Sequence, residues 1–174
     1  MNTLEAIAKR VSVRNYKPEQ IPEETLQTIL KAGMAAPVGS SAYDSLHLTV
    51  IQDKAILNEI GDAVTELVAK VLGRRMNKNF GAPTMVVVSS KPAKMPGIEM
   101  ANAATVLENM ALAATDLGID NIIWGGASAV IAQNPKLRER LQIPEGFTPA
   151  LVASFGYGAA EEPIKTHEIS VNRV

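Results

Sequence analysis

The chain has 174 residues, 47% of them hydrophobic and 20% charged, with a formal net charge of -1 at pH 7. That length allows one domain with a true core, and the near-zero charge supplies no long-range field for nucleic acid or an anionic membrane. The sequence contains no cysteine, which excludes disulfides, iron–sulfur clusters, thiolate zinc sites and cysteine nucleophiles together.

Glu5, Lys9, Arg10 and Arg14 stand where a signal peptide needs an apolar run. No apolar stretch approaches the ~18 residues of a membrane span. The expectation is a cytoplasmic protein with neither a membrane nor a nucleic-acid partner.

In chain order, Thr3 to Lys9 reads as a helix with Leu4, Ile7 and Ala8 on one face and Thr3 as N-cap. Val11 to Tyr16 alternates as an extended segment and ends at Lys17-Pro18. Pro22-Glu23-Glu24 opens a second helix, because proline suits the first turn and the acids suit the dipole. Its buried stripe is Leu26, Ile29, Leu30 and Gly33 or Met34. Ala35 to Ser45 is a loop of small residues, Leu46 to Ile51 a strand, and Lys54 to Leu72 an amphipathic helix. Gly73 to Ala82 is a basic, polar connection, and Thr84 to Ser89 a β-branched run suited to a buried strand.

After the loop Lys91 to Gly97, a helix runs from about Glu99 to Leu117 and stops at Gly118. Met100, Ala103, Ala104, Leu107, Met110, Ala111 and Ala114 line one side of it, and such an alanine content implies protein on most sides. Asp120 to Trp124 is a short strand, Gly125-Gly126 a turn, Lys136 to Leu141 a short helix, and Pro149 to Tyr157 the last strand. Strands interleaved with more numerous helices imply an α+β or α/β layered domain. It occupies residues 1–158, with a tail over 159–174.

Three local patterns bear on chemistry. Arg10-Val11-Ser12-Val13-Arg14 puts two guanidinium groups and a hydroxyl on alternate positions of an extended stretch. That arrangement suits a phosphate, since each guanidinium offers two parallel donors. For an arbitrary R-x-S-x-R, however, a solvated basic face is the commoner outcome. Gly125-Gly126, at a strand end, permits close ligand approach to backbone N–H groups or simply makes a turn. Gly156-Tyr157-Gly158 lacks the third glycine and following helix of a dinucleotide fingerprint.

Other chemistries find little support. His47 lies in an apolar strand and His167 in the polar tail, without the paired carboxylates of a metal site. Ser40, Ser41 and Asp44 form no nucleophile elbow. Met76, Met95 and Met100 read as gap-filling core. A basic clamp and a glycine turn without acid–base machinery suit an enzyme whose cofactor does the chemistry.

In order and spacing these pieces resemble the FMN-dependent nitroreductase-like family. Arg10 to Tyr16 is similar to its R-x-S-x-R-x-[FY] motif. Ile21-Pro22-Glu23-Glu24, Ala35-Ala36-Pro37, Gly81-Ala82-Pro83 before Val86-Val87-Val88, Glu108 to Ala114 with Leu117-Gly118, Trp124-Gly125-Gly126, and Phe155 to Gly158 follow in the family's order. The resemblance implies an α+β, three-layer fold: a central, mostly antiparallel or mixed sheet flanked by helices, in an intertwined homodimer. It implies FMN contacts from Arg10, Val11, Ser12 and Arg14, and backbone N–H groups of Gly125 and Gly126 near flavin N5. Pro37, Val38, Gly39 and Ser40 would reach the flavin of the other subunit, and the tail would embrace that subunit, with Lys165, His167 or Arg173 completing the phosphate site.

The activity implied is ping-pong transfer from NADH or NADPH to an electron-poor small molecule, such as a nitroaromatic, a quinone or a flavin. A specialised flavin reaction such as dehalogenation or metabolite oxidation, and a non-enzymatic FMN-binding module, remain alternatives. One departure is plain: family members often carry S-x-x-N-x-Q-P-W after the Ala-Pro, where this chain has Val38-Gly39-Ser40-Ser41-Ala42-Tyr43-Asp44.

Overall fold

The computed structural model describes residues 1–73, 75, 80–160, 162–164 and 166–174. Helices α1 (Thr3–Lys9) and α2 (Glu23–Met34) lead through two 3-10 turns (Gly39–Ser41 and Tyr43–Ser45) to β1 (Leu46–Ile51). There follow α3 (Lys54–Leu72), β2 (Thr84–Ser90), α4 (Ile98–Asp116), β3 (Asp120–Trp124), α5 (Gly125–Gln133), α6 (Pro135–Arg140) and β4 (Thr148–Gly156).

The strands form one sheet of order β1-β2-β4-β3 with every neighbouring pair antiparallel. β2 is central and buried along its whole length, so its β-branched run sorts side chains to two cores. Val86 and Val88 point to the layer of α2 and α4, with Ile29, Leu107, Met110 and Phe155. Met85 and Val87 point to α3, α5 and α6, with Ile60, Val64, Ile131 and Leu137. Helices on both faces of a sheet make the expected three layers.

Local chemistry accounts for the element ends. Asn2 and Glu5 form a reciprocal capping box on α1, so the N-cap is Asn2 and not Thr3. Asp53 caps α3 by accepting from the Ile56 N–H, and Gly73 ends it in the left-handed conformation with φ 65°. Asn134 caps α6, with Pro135 in its first turn.

Several sequence expectations are corrected. Leu4, Ile7 and Ala8 are exposed in this chain, and Ala6 is the buried residue of α1. Gly33, not Met34, completes the α2 stripe. On α4, Met100 and Ala104 are exposed, while Asn102 and Val106 join the buried side. Met95 is also exposed, and Met76 lies outside the described residues. Val11 to Tyr16 is no strand; it docks through two isolated bridges, Ser12 to Asn121 and Tyr16 to Gly158. Gly125-Gly126 is not a turn but the start of α5, which the expectation omitted.

Close backbone approach locks the N-terminal segment to the sheet. A Cβ on Gly156 would stand 2.6 Å from Pro83 Cδ and 3.1 Å from Tyr16 Cδ1, against a ring that cannot swing away. Gly156→Ala is expected to lower unfolding free energy by about 1–3 kcal/mol through overpacking, read as a lower urea midpoint with unchanged slope.

Candidate functional site

The segment 10–14 owes its geometry to β3. The Val13 N–H donates to the Asn121 carbonyl at 3.0 Å, and Val13, Tyr16 and Ile122 bury together with Val11 packed against them. Because alternate residues of extended backbone face opposite ways, Arg10, Ser12 and Arg14 turn outward: Arg10 and Ser12 are half-buried and Arg14 is exposed. Val11 faces the core and can offer a ligand only its backbone.

The outward face is anchored but not spent. Arg10 Nε lies 3.7 Å from Glu108 Oε1 on α4, a surface pair worth under ~1 kcal/mol, and it has no other polar partner among the described residues. Arg14 Nη1 donates to the Ser12 carbonyl at 2.9 Å. The Ser12 hydroxyl makes no hydrogen bond among the described residues. Two guanidinium groups and a hydroxyl thus stand on one face of the segment.

Gly125, the first residue of α5, lies four residues along β3 from Asn121, about 13 Å at a strand's rise per residue. The first N–H groups of a helix have no partner within it, and Trp124 supplies no side-chain cap. The helix start therefore places its first N–H groups, uncapped by Trp124, at the positive end of its dipole. A Cβ on Gly126 would meet Val64 Cγ1 at 2.9 Å, whereas one on Gly125 would meet nothing within 4 Å. Gly126 packs on α3, and Gly125 faces open space.

Behind Trp124 lies a cavity of about 180 Å³ lined by Phe80, Gln20, Gln52, Met85 and Ser154. The Phe80 and Trp124 rings are 5.0 Å apart, and Trp124 Nε1 donates to Ser154 Oγ at 3.0 Å. It is smaller than the ~300–1,000 Å³ of pockets that enclose a drug-sized ligand.

Pro37, Val38, Gly39 and Ser40 are held against α4. Asn102 Oδ1 accepts from the Gly39 N–H at 2.9 Å, and Thr105 Oγ1 donates to the Pro37 carbonyl at 3.0 Å. No hydrogen bond or ion pair joins this loop to Arg10, Ser12 or Arg14 among the described residues. His167 and Arg173 are exposed in the tail, and no hydrogen bond or ion pair joins them to Arg10, Ser12 or Arg14 among the described residues. Lys165 lies outside the described residues. His47 packs edge-on against Phe147 with ring centroids 5.8 Å apart. Sequence reasoning missed Asn102 and Thr105. The available signal was a polar i, i+3 pair interrupting the alanine-rich run of α4.

Among the described residues, no helix is long and apolar enough to cross a membrane. The model of the Nitroreductase family matches residues 7–157. A Methanothermobacter thermautotrophicus protein provisionally named NADH dehydrogenase/NAD(P)H nitroreductase is 32% identical over 94% of this chain and 80% of its own length. An Archaeoglobus fulgidus protein of the same provisional name is 34% identical over 91% of this chain and 87% of its own. Among solved structures, the Bacteroides fragilis nitroreductase with bound FMN superposes with a TM-score of 0.81 at 29% identity, covering 99% of this chain and 100% of that one. A Desulfitobacterium hafniense nitroreductase with bound FMN gives 0.85 at 26% identity, with the same coverage.

Beside Arg14, the Tyr16 hydroxyl is buried with no hydrogen-bond partner among the described residues. Burial pushes the phenol well above its ordinary range, the Asp120 carboxylate pushes it further, and Arg14 pulls it back. A pKa raised in the folded state stabilises below the ordinary value of 10.0 and loses that contribution as pH rises above it. Tyr16→Phe is expected to be neutral or stabilising by up to ~1 kcal/mol at neutral pH, since it removes an unpaired polar atom. Its unfolding midpoint should also fall less steeply than the parent's in the alkaline range.

Proposed function

The chain belongs to the nitroreductase family, and from that premise we propose that it is an FMN-dependent NAD(P)H oxidoreductase reducing an electron-poor acceptor: a nitroaromatic, a quinone or a flavin. One observation carries the reading. The outward face of Arg10, Ser12 and Arg14 is laid along β3, whose far end opens α5 on the uncapped N–H groups of Gly125 and Gly126.

That face fits FMN by its chemistry. The anionic end needs guanidinium and hydroxyl donors, and Arg10, Ser12 and Arg14 supply them. The ring end needs donors for its nitrogen and carbonyl edge without a side chain in the way, and Gly125 offers an N–H with open space beside it. When bound, FMN supplies the two-electron redox chemistry that connects a nicotinamide donor to the acceptor. The chain's own part is to grip the phosphate, fix the orientation of the ring system, and place the α5 dipole where negative charge collects. Arg14 either shares the phosphate or reaches the pyrimidine edge. No side chain is assigned as a general acid.

The working form is a homodimer, with the tail over 159–174 embracing the partner. Leu4, Ile7, Met100 and Leu117 are large exposed apolar side chains on or beside α1 and α4, and Ile169 and Val171 are 87% and 78% exposed in the tail. Isolated exposed apolar residues are ordinary, but this many on one chain suit a covered interface. The loop from Pro37 to Ser40 and the tail residues Lys165, His167 or Arg173 complete the flavin sites across that interface.

Purified protein supplied with FMN should oxidise NADH or NADPH in the presence of a nitroaromatic, a quinone or free flavin; absence of turnover with all three sinks the reading. Arg14→Ala should weaken FMN binding about ten-fold or more, as loss of a charge-assisted hydrogen bond requires, with little change in thermal unfolding. By light scattering after gel filtration the parent should be a dimer. Deletion of residues 163–174 should weaken both the dimer and FMN retention, and a monomeric parent would refute the intertwined assembly.

A further inference from the structure

A polar row runs along one face of the alanine-rich α4. Asn102, Thr105 and Asn109 stand at i, i+3 and i+7, so they share one helix face. Asn109 meets backbone of α2 itself, and Asn102 and Thr105 meet backbone of the segment that links α2 to β1. Asn109 Nδ2 donates to the Ala32 carbonyl at 3.2 Å, Thr105 Oγ1 shares its proton between the Pro37 carbonyl at 3.0 Å and the Asn102 carbonyl of its own helix at 2.9 Å, and Asn102 Oδ1 accepts from the Gly39 N–H at 2.9 Å. Asn102 is only 6% exposed. A buried amide in a helix of alanines is unfavourable unless its polar atoms find partners, and here its oxygen finds the loop.

The segment so held is strained. Ser40 and Ser41 sit in succession at φ 57° and 53°, a left-handed conformation that non-glycine residues keep only where their surroundings over-determine it. The neighbouring support is local: Tyr43 Oη donates to the Ala36 carbonyl at 3.2 Å, and the Ser41 and Ala42 N–H groups donate back to Val38 and Gly39. Among the described residues, Asn102 and Thr105 thus supply the hydrogen bonds from the core helix to residues 37–41. Close approach is part of the device, since a Cβ on Gly39 would lie 3.4 Å from Asn102 Oδ1 and 2.9 Å from Ile98 Cδ1.

We propose that Asn102 and Thr105 are positioning residues that hold the loop over residues 37–41 in the strained shape in which it meets FMN. This rests on the reading that the loop is a flavin contact. The departure of Val38 to Asp44 from the family's usual pattern then matters less, because the backbone of the loop, placed from α4, is what the cofactor meets.

The test is amide hydrogen exchange on the apoprotein together with FMN titration, for the parent, Asn102→Ala/Thr105→Val and Asn102→Ala/Thr105→Ser. The alanine/valine pair should speed exchange at Gly39 to Ala42 while leaving β2 and β4 protected, and weaken FMN binding about ten-fold or more. Serine, which keeps the hydroxyl, should recover part of both effects. FMN affinity within two-fold of the parent overturns the proposal, as does exchange that accelerates equally across β2 and β4. A parent that does not bind FMN defeats the functional reading instead, and local exchange alone then decides whether the pair orders the loop.

Discussion

Val13 pins the N-terminal segment to the open edge of the sheet. Its N–H is bonded to the Asn121 carbonyl and its side chain is 2% exposed against Ile122 and Tyr16. Extended backbone has a period of two, so this single pin decides that Arg10, Ser12 and Arg14 face away from the core. A slip of one residue would bury the guanidinium groups and expose the valines. Asn121 is itself tied to α4 through Nδ2 bonds to the Ala111 carbonyl and the Thr115 hydroxyl. The same strand therefore registers the clamp, the central helix and, at its other end, the start of α5.

Helix α4 is the second organising element. One side closes the core over Val86, Val88 and Phe155, and Gly33 of α2 lets its Met110 pack so closely that a Cβ there would lie 2.7 Å from Met110 Cγ. Its Asn102 and Thr105 meet the backbone of Gly39 and Pro37, and Glu108 meets Arg10. Parts of the candidate site that lie apart in sequence are thus mounted on one rigid helix, the arrangement a preorganised cofactor site requires.

Much of this was legible from residue pattern. Lys54–Leu72 declares itself at its observed bounds by long apolar periodicity, and Asp120–Trp124 as a short run ended by two glycines. α5 escaped because it opens on two glycines, poor helix formers, and is apolar on several sides. The faces of α1 and α4 were misjudged because Leu4, Ile7, Met100 and Ala104 are apolar yet exposed in one chain, and periodicity does not say whether a partner or the core covers a stripe. The clamp residues were visible as a motif, but their common outward direction depends on the bridge to Asn121, a contact more than a hundred residues away. Asn102 and Thr105 act through single bonds to distant backbone, which leaves little periodic trace.

The proposed grip of Arg10, Ser12 and Arg14 on the FMN phosphate is tested most directly by comparing the affinities of the protein for FMN and for riboflavin, which differ in that phosphate alone. FMN should bind at least about ten-fold more tightly, as charge-assisted hydrogen bonds to a phosphate require, and the advantage should shrink as salt is raised. Equal affinity for the two would contradict the assignment of this face to the phosphate.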